Sequence, residues 1–278
     1  MTADELRDAI ETLAAAGDPH RDEVRSLVAA LLDALEDGAI RAAEPSPRGW
    51  LVNAWVKQGL LLAFRGGVNV TFSVPPFHFC DRDLLPTQNP SRGGRNVRVV
   101  PGGSTVRRGA FLAEGVVVMP PAFVNAGAYV GRGTMIDSHA LVGSCAQIGA
   151  RVHLLAAVQV GGVLEPPGAM PVIVEDDAFV GGGCGLYEGT RVGRGAVLAP
   201  GVVLTRSVRL YDAVRDGTIG AGDDGTLAVP ERAVVVPGSR PAHGAWARAQ
   251  GLSLYAPVIV KYRDAATDAA AALEDALR

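Results

Sequence analysis

Residues 130–160 read VGRGTMIDSHALVGSCAQIGARVHLLAAVQV, and an aliphatic side chain stands at every sixth position: Val130, Ile136, Val142, Ile148, Leu154 and Val160. The column runs back through Val124, Val118, Leu112 and Val106 to Val100. After an eight-residue slip it resumes as Val174, Val180, Leu186, Val192, Leu198, Leu204 and Leu210. A period of six fits neither the 3.6 of an α-helix nor the 2 of a strand, so the repeating unit is larger than either. It is the unit of a left-handed parallel β-helix, in which each hexad gives one short strand and one corner and three hexads make a coil. The aliphatic residue then points into the prism where coils stack. Each such burial contributes roughly 1.5–3 kcal/mol, which offsets much of the entropy of ordering a Gly-rich chain. The left hand opposes the usual crossover rule, and the six-residue period is what points to it.

Outward from the column the chain reads as four segments. Residues 1–66 form a helical domain: apolar spacing of three and four marks helices at Asp4–Ala15 and Glu23–Leu35. Short strands follow at Ala39–Ala43 and Trp50–Val52 around a Pro45-Ser46-Pro47 turn, and a third helix at about Ala54–Phe64 stops at Gly66-Gly67. Residues 67–97 hold a strand at Val68–Val74 and a linker at Pro75–Gly94. The β-helix occupies 98–236, with its hexads ending near Arg209 and a hairpin-like stretch at Gly222–Gly225. The slip, around Glu165–Pro171, reads as a loop thrown out of one corner. Residues 237–278 form a small α/β cap with a strand at Leu254–Lys261 and an Ala-rich terminal helix. The two terminal segments are expected to cover the two ends of the prism, which would otherwise offer open strand edges.

Composition narrows the function. The 278 residues are 48% apolar and 20% charged with a net charge of −3, which gives no electrostatic case for nucleic acid or a membrane surface. The acidic, amphipathic start and the lack of eighteen consecutive apolar residues read as a cytoplasmic protein. Cys80, Cys145 and Cys184 are odd in number without CxxC spacing, so they suggest neither a disulfide framework nor a zinc site.

Three long stretches then stand out: GTMIDSHALVGSCAQIGARVHL, GGVLEPPGAMP and VIVEDDAFVGG. With WVKQGLLLAFR (55–65), RVVP (98–101), VRRGAF (106–111), VNAGAYV (124–130) and SLYAPVIVK (253–261), in the same order, the chain resembles the 2,3,4,5-tetrahydropyridine-2,6-dicarboxylate N-succinyltransferases of lysine and diaminopimelate biosynthesis. The resemblance covers about 50–261. It implies an acyl-CoA-dependent N-acyltransferase, using succinyl-CoA or acetyl-CoA as co-substrate and working as a homotrimer with sites between neighbouring prisms. It places Arg98 on a substrate carboxylate, where a guanidinium fork suits the planar group. It places Asp137 at the acceptor amine, where a carboxylate can orient the group and take its proton.

The departures bear on the acceptor. Where the family reads Gly-Ala-Arg-Ser-Glu, this chain has Gly181-Gly182-Gly183-Cys184-Gly185, without the arginine or the glutamate. Where the family has Asp-Thr-Trp, it has Asp137-Ser138-His139. His139 reads equally as a general base replacing the lost carboxylate's help or as a surface filler of the tryptophan's space. Glu188 is a further substrate-binding candidate, more readily structural; Cys184 reads as an inert small thiol and His153 as structural. Gly161-Gly162 could offer N–H groups to an oxyanion, and Arg206, Arg209, Arg240 and Lys261 lie where coenzyme A phosphates need cations. The departures favour a paralogue with another acceptor, as in specialised tabtoxin-like pathways. The alternatives are a non-catalytic acyl-CoA-binding homologue and a metal hydratase on the same scaffold, which His139 and His153 serve poorly because they differ in hexad position.

Overall fold

The computed structural model describes residues 1–16, 20–47, 49–90 and 94–264. Its centre is a three-sided parallel β-helix built from two-residue strands. Each strand pairs with the one three places later in the chain, so sequential strands fall in turn on three sheets. The first face begins with Arg98–Val99, the second with Thr105–Val106 and the third with Phe111–Leu112. Stacked partners lie eighteen residues apart, as Val130 opposite Ile148, which is three hexads to a coil. The aliphatic column is buried from Val106 onward, and a second inward column of smaller residues (Ala128, Thr134, Ala140, Ala146, Val152, Val158) fills the prism between its members.

Two details of register depart from the sequence reading. Val99, not Val100, stands opposite Val118 and packs on the core, because one extra residue sits in the first corner around Gly102-Gly103. The eight-residue slip lies between Gln159–Val160 and Ile173–Val174 and leaves Val160 and Val174 at their proper places on the second and third faces.

The corners repeat a left-handed backbone residue, and not only at glycine. His139, Cys145, Arg151, Ala157 and Asp177 all hold φ between 54° and 65° at corners, alongside Gly127, Gly133 and Gly183. A non-glycine residue pays steric strain there, so the ladder of corner hydrogen bonds must hold it in place. Examples are His139 N–H to Pro121 O and Ala157 N–H to Ser138 O.

The helices lie alongside the prism instead of over its end. Helices α1 (Ala3–Ala15), α2 (Arg21–Glu36) and α3 (Ala54–Gly66) form a cluster that continues into Leu84, Leu85, Ala126 and Cys145. Helix α1 opens with a capping box between Thr2 and Glu5. They press on the corner between the second and third faces, because a glycine column there lets them close in: a Cβ at Gly109 would lie 2.6 Å from Leu32 and one at Gly127 2.8 Å from Leu60. The N-terminal end of the prism is closed by the linker, where Gln88 donates its backbone N–H to Val106 and its side-chain amide to the Arg107 and Ala110 carbonyls.

Other elements differ in part. The first short strand is Ala43–Ser46, so Pro45 and Ser46 belong to it rather than to the turn. It pairs with Gly49–Val52 and lies on the third face, with the Trp50 indole donating to Glu175 at 3.1 Å. Asn69–Val74 pairs with Phe77–Arg82 as a hairpin, so the stretch expected as linker carries a strand. At the C-terminal end Ala233–Pro241 extends the first face and pairs antiparallel with Ser253–Tyr262, with a short helix Ala245–Ala249 between them. The expected terminal helix lies outside the described residues. No helix among the described residues is long and apolar enough to cross a membrane.

Candidate functional site

The first corner, between the first and second faces, carries the residues of interest in vertical order. Going up one coil at a time, it presents Asp137-Ser138-His139, then Leu155-Ala156-Ala157, then Gly181-Gly182-Gly183. Coils repeat at about 4.8 Å, so Asp137 and Gly181 are separated by roughly 10 Å along the prism. His139, Ala157 and Gly183 are all exposed, and no helix among the described residues covers them.

Asp137 is partly buried and fixed. One carboxylate oxygen accepts the Ser138 N–H at 2.7 Å, and the other lies 4.0 Å from Nε2 of His153. His153 is 6% exposed and meets the Phe179 ring edge-on at 5.5 Å. The sequence reading set His153 aside as structural. The structure places its buried imidazole 4.0 Å from the carboxylate singled out for the acceptor, beyond hydrogen-bond distance. The signal was a spacing of sixteen: with eighteen residues per coil, position 153 stands diagonally above position 137.

His139 is exposed at the tip of the same corner, and Gln159 on the second face donates to the His139 and Ala157 carbonyls at 3.2 Å each. Gly185 follows on the second face, above Gln159. Gly183 holds φ +67° with open space where a side chain would project, whereas the space over Gly185 is filled: a Cβ there would meet the Tyr187 ring at 2.7 Å.

The other expected residues do not converge on this corner within one chain. Arg98 is exposed on the outer edge of the first face, two coils below Met135, so it shares the face of Asp137 without touching it. Gly161-Gly162 and Glu188 lie at the second corner, across the second face. There Glu188 pairs with Arg206 at 3.8 Å, so these two engage each other. Arg240 stands opposite Leu254 and Lys261 opposite Val234, at opposite ends of one antiparallel ladder, and Lys261 pairs with Asp264 at 3.8 Å. Six strand residues separate the two ends, roughly 20 Å.

The buried thiols are structural. Cys184 fills the inward small-residue column, donates to the Ala199 carbonyl and is pushed up to about 11 by burial. Cys145 lies under α3, pushed up to about 12 by the same cause. Neither is a nucleophile near neutral pH. Lys57 of α3 is fully buried, with its charge disfavoured by burial, and its ammonium donates to the Ala169 carbonyl of the thrown-out loop. Among the described residues no group of three His, Cys, Asp or Glu side chains is placed to hold a metal.

Comparison with known proteins agrees with the sequence motifs. Residues 4–65 match the model of the tetrahydrodipicolinate N-succinyltransferase N-terminal region, and 171–206 match the hexapeptide repeat of succinyl-transferase. A 2,3,4,5-tetrahydropyridine-2,6-dicarboxylate N-succinyltransferase of Ralstonia nicotianae is 44% identical over 265 residues, 92% of this chain and 90% of its own. Its Rhodopseudomonas palustris counterpart is 42% identical over 277 residues, 98% of this chain and 95% of its own. A solved Campylobacter jejuni chain described as a tetrahydropyridine-2-carboxylate N-succinyltransferase overlaps loosely: 15% identity, TM-score 0.46, 83% of this chain and 62% of its own.

Proposed function

Because the chain belongs to the 2,3,4,5-tetrahydropyridine-2,6-dicarboxylate N-succinyltransferase family of acyl-CoA-dependent transferases, we propose that its first corner acylates the nitrogen of a cyclic imine or amino-dicarboxylate. The acceptor is tetrahydrodipicolinate or a relative of it, and the acyl group succinyl or acetyl. The observation that carries this reading is Asp137, 4.0 Å from a buried histidine on a corner whose tip residues are exposed.

In the proposed step an amine nitrogen, or the N–H that a cyclic imine gains once water adds across its C=N bond, attacks the thioester carbonyl and gives up its proton to Asp137, with His153 steadying the carboxylate. The C–S bond then breaks and coenzyme A leaves as a thiolate that takes up a proton. Arg98 holds an acceptor carboxylate by its guanidinium fork, and His139 borders the acceptor. Of the Gly161-Gly162 pair the Gly162 N–H faces the developing oxyanion, since the Gly161 N–H is held by the Leu186 carbonyl at 2.7 Å, and Arg206, Arg240 and Lys261 meet the phosphates, from different subunits of a homotrimer. The distances within one chain support a shared site, since no single prism gathers these groups. The left-handed coil sense and a cytoplasmic setting go with the same family reading.

Gly183 and Gly185 favour a redirected acceptor over the parent reaction, as in a specialised pathway. The test is thiol release from succinyl-CoA and acetyl-CoA with tetrahydrodipicolinate and with other amino-dicarboxylates, beside the thermal shift each acyl-CoA produces. A shift and acceptor-dependent release support the reading. A shift without release from any acceptor favours the non-catalytic homologue, and neither signal overturns both.

A further inference from the structure

We propose that Tyr187 sets the acceptor specificity of this site. The proposal rests on the acyltransfer reading above and deepens it. Tyr187 stands on the second face just past the core residue Leu186, and its ring lies across two residues that have no side chain. A Cβ at Gly185 would meet the ring at 2.7 Å and the hydroxyl oxygen at 3.0 Å, and a Cβ at Gly161, one coil below, would meet the ring at 3.1 Å. The ring is therefore seated in a slot that exists only because both positions are glycine. Gly185 is buried beneath it while Tyr187 itself remains 42% exposed, so the phenol forms the surface that a ligand touches.

The chemistry of that surface is distinctive. The outward residues of the second face are Thr105, Phe123, Leu141, Gln159, Gly185 and Val203, none of them charged. Gln159, next below Gly185, is tied to the His139 corner by its amide, so the face and the Asp137 corner are one continuous wall. A carboxylate at position 185 would put a negative charge on this wall. Tyr187 instead covers the place with an aromatic face and a neutral hydroxyl that can donate or accept. Gly183, with nothing in its side-chain space, adds volume and no charge. The acceptor that fits is an amine or imine whose group facing the second face is uncharged and planar or hydrogen-bonding. A second carboxylate or an ammonium there would be desolvated without a partner.

The test uses Gly185→Glu, Tyr187→Ala, the pair of them, and Tyr187→Phe in the full chain. Succinyl-CoA thermal shift is read beside kcat/KM for tetrahydrodipicolinate and for monocarboxylate amines. Gly185→Glu alone leaves its carboxylate unseated and gives no gain with tetrahydrodipicolinate. Joined to Tyr187→Ala the carboxylate seats in the vacated slot, and kcat/KM shifts by about tenfold or more from tetrahydrodipicolinate toward amines that carry a second ammonium, relative to Tyr187→Ala alone. Tyr187→Phe keeps the slot filled and the preference for uncharged groups, while raising KM for acceptors that bond the hydroxyl.

Gly185→Ala and Tyr187→Ala give a readout independent of turnover: the first lowers Tm in the wild-type background and not in Tyr187→Ala. Additive Tm effects, or an acceptor preference unchanged by Tyr187→Ala while thiol release persists, overturn the proposal and leave the acyltransfer reading standing. Loss of both acyl-CoA shift and thiol release in the wild-type protein overturns that reading and the specificity role together.

Discussion

The first and second corners of the prism have the same backbone and opposite fates. Both place a left-handed residue at the tip and join coils by N–H to carbonyl bonds, as at His139 to Pro121 and at Gly127 to Gly109. At the second corner Gly109, Gly127 and Cys145 let α2 and α3 pack until Cys145 is fully buried. At the first, the equivalent residues His139, Ala157 and Gly183 stay exposed. The repeat supplies identical scaffolding, and what covers each stretch of corner decides whether it is buried or left open to a ligand.

The largest expected effect sharpens that contrast. Asp137→Asn should lower acyl transfer at saturating acceptor by about 10²–10⁴-fold, with Tm and the acyl-CoA thermal shift kept. Unchanged turnover would move the chemistry away from the first corner. At the second corner the effect should fall on stability. Gly109→Val adds a branched side chain at φ +78° against Leu32, costs about 3 kcal/mol and lowers the denaturation midpoint, with residual activity following the folded fraction. A variant as stable as the parent would mean that the helices do not bear on this corner.

A smaller effect is expected at Lys57, which joins α3 to the loop at Ala169. Burial lowers the pKa of this lysine, so its charge costs stability below the folded value, and that cost fades as pH rises toward the ordinary lysine value of 10.5. Lys57→Met should therefore match or exceed the parent in stability at pH 7, and its advantage should shrink by pH 10. Activity should fall because the loop loses its anchor. Urea titrations at the two pH values measure the first, and thiol release the second. A Met variant less stable at pH 7 would show that the ammonium's bond outweighs its burial.

The smallest concerns the C-terminal cap, where buried Asp212 accepts the Tyr262 hydroxyl at 2.6 Å and the Val214 and Arg215 N–H groups. Burial raises its pKa, but these bonds outweigh it and hold the carboxyl below its usual value. The resulting stability is present above the unfolded value and is lost as pH falls through the folded one. Asp212→Asn should thus be less stable at pH 7 and converge on the parent in acid. A gap that persists at the lowest pH would assign the loss to packing instead.

Legibility in the sequence followed burial. The hexad column was readable because one inward residue per strand repeats from Val106 onward, broken only by the slip, and it erred by one residue, at Val99, where a corner insertion shifts the phase. The strand Phe77–Arg82 was not readable: Phe77, Phe79 and their partners Val74 and Phe72 are all exposed, so no alternation marks an inner face. The packing of the helices alongside the prism depends on glycines spaced by eighteen at one corner, a pattern hidden among glycines that serve other corners. Asp137 stands out from its motif alone, whereas the contacts of His153 and Tyr187 run across coils, at offsets that mean nothing until the coil length is known.

The most direct test is a hydrogen-exchange footprint of a non-hydrolysable succinyl-CoA analogue on the assembled protein. Slowed exchange should appear in peptides spanning 137–140, 155–159 and 181–187, with none gained around 109, 127 and 145. Protection absent from the first corner and its adjoining face would contradict the placement of the site.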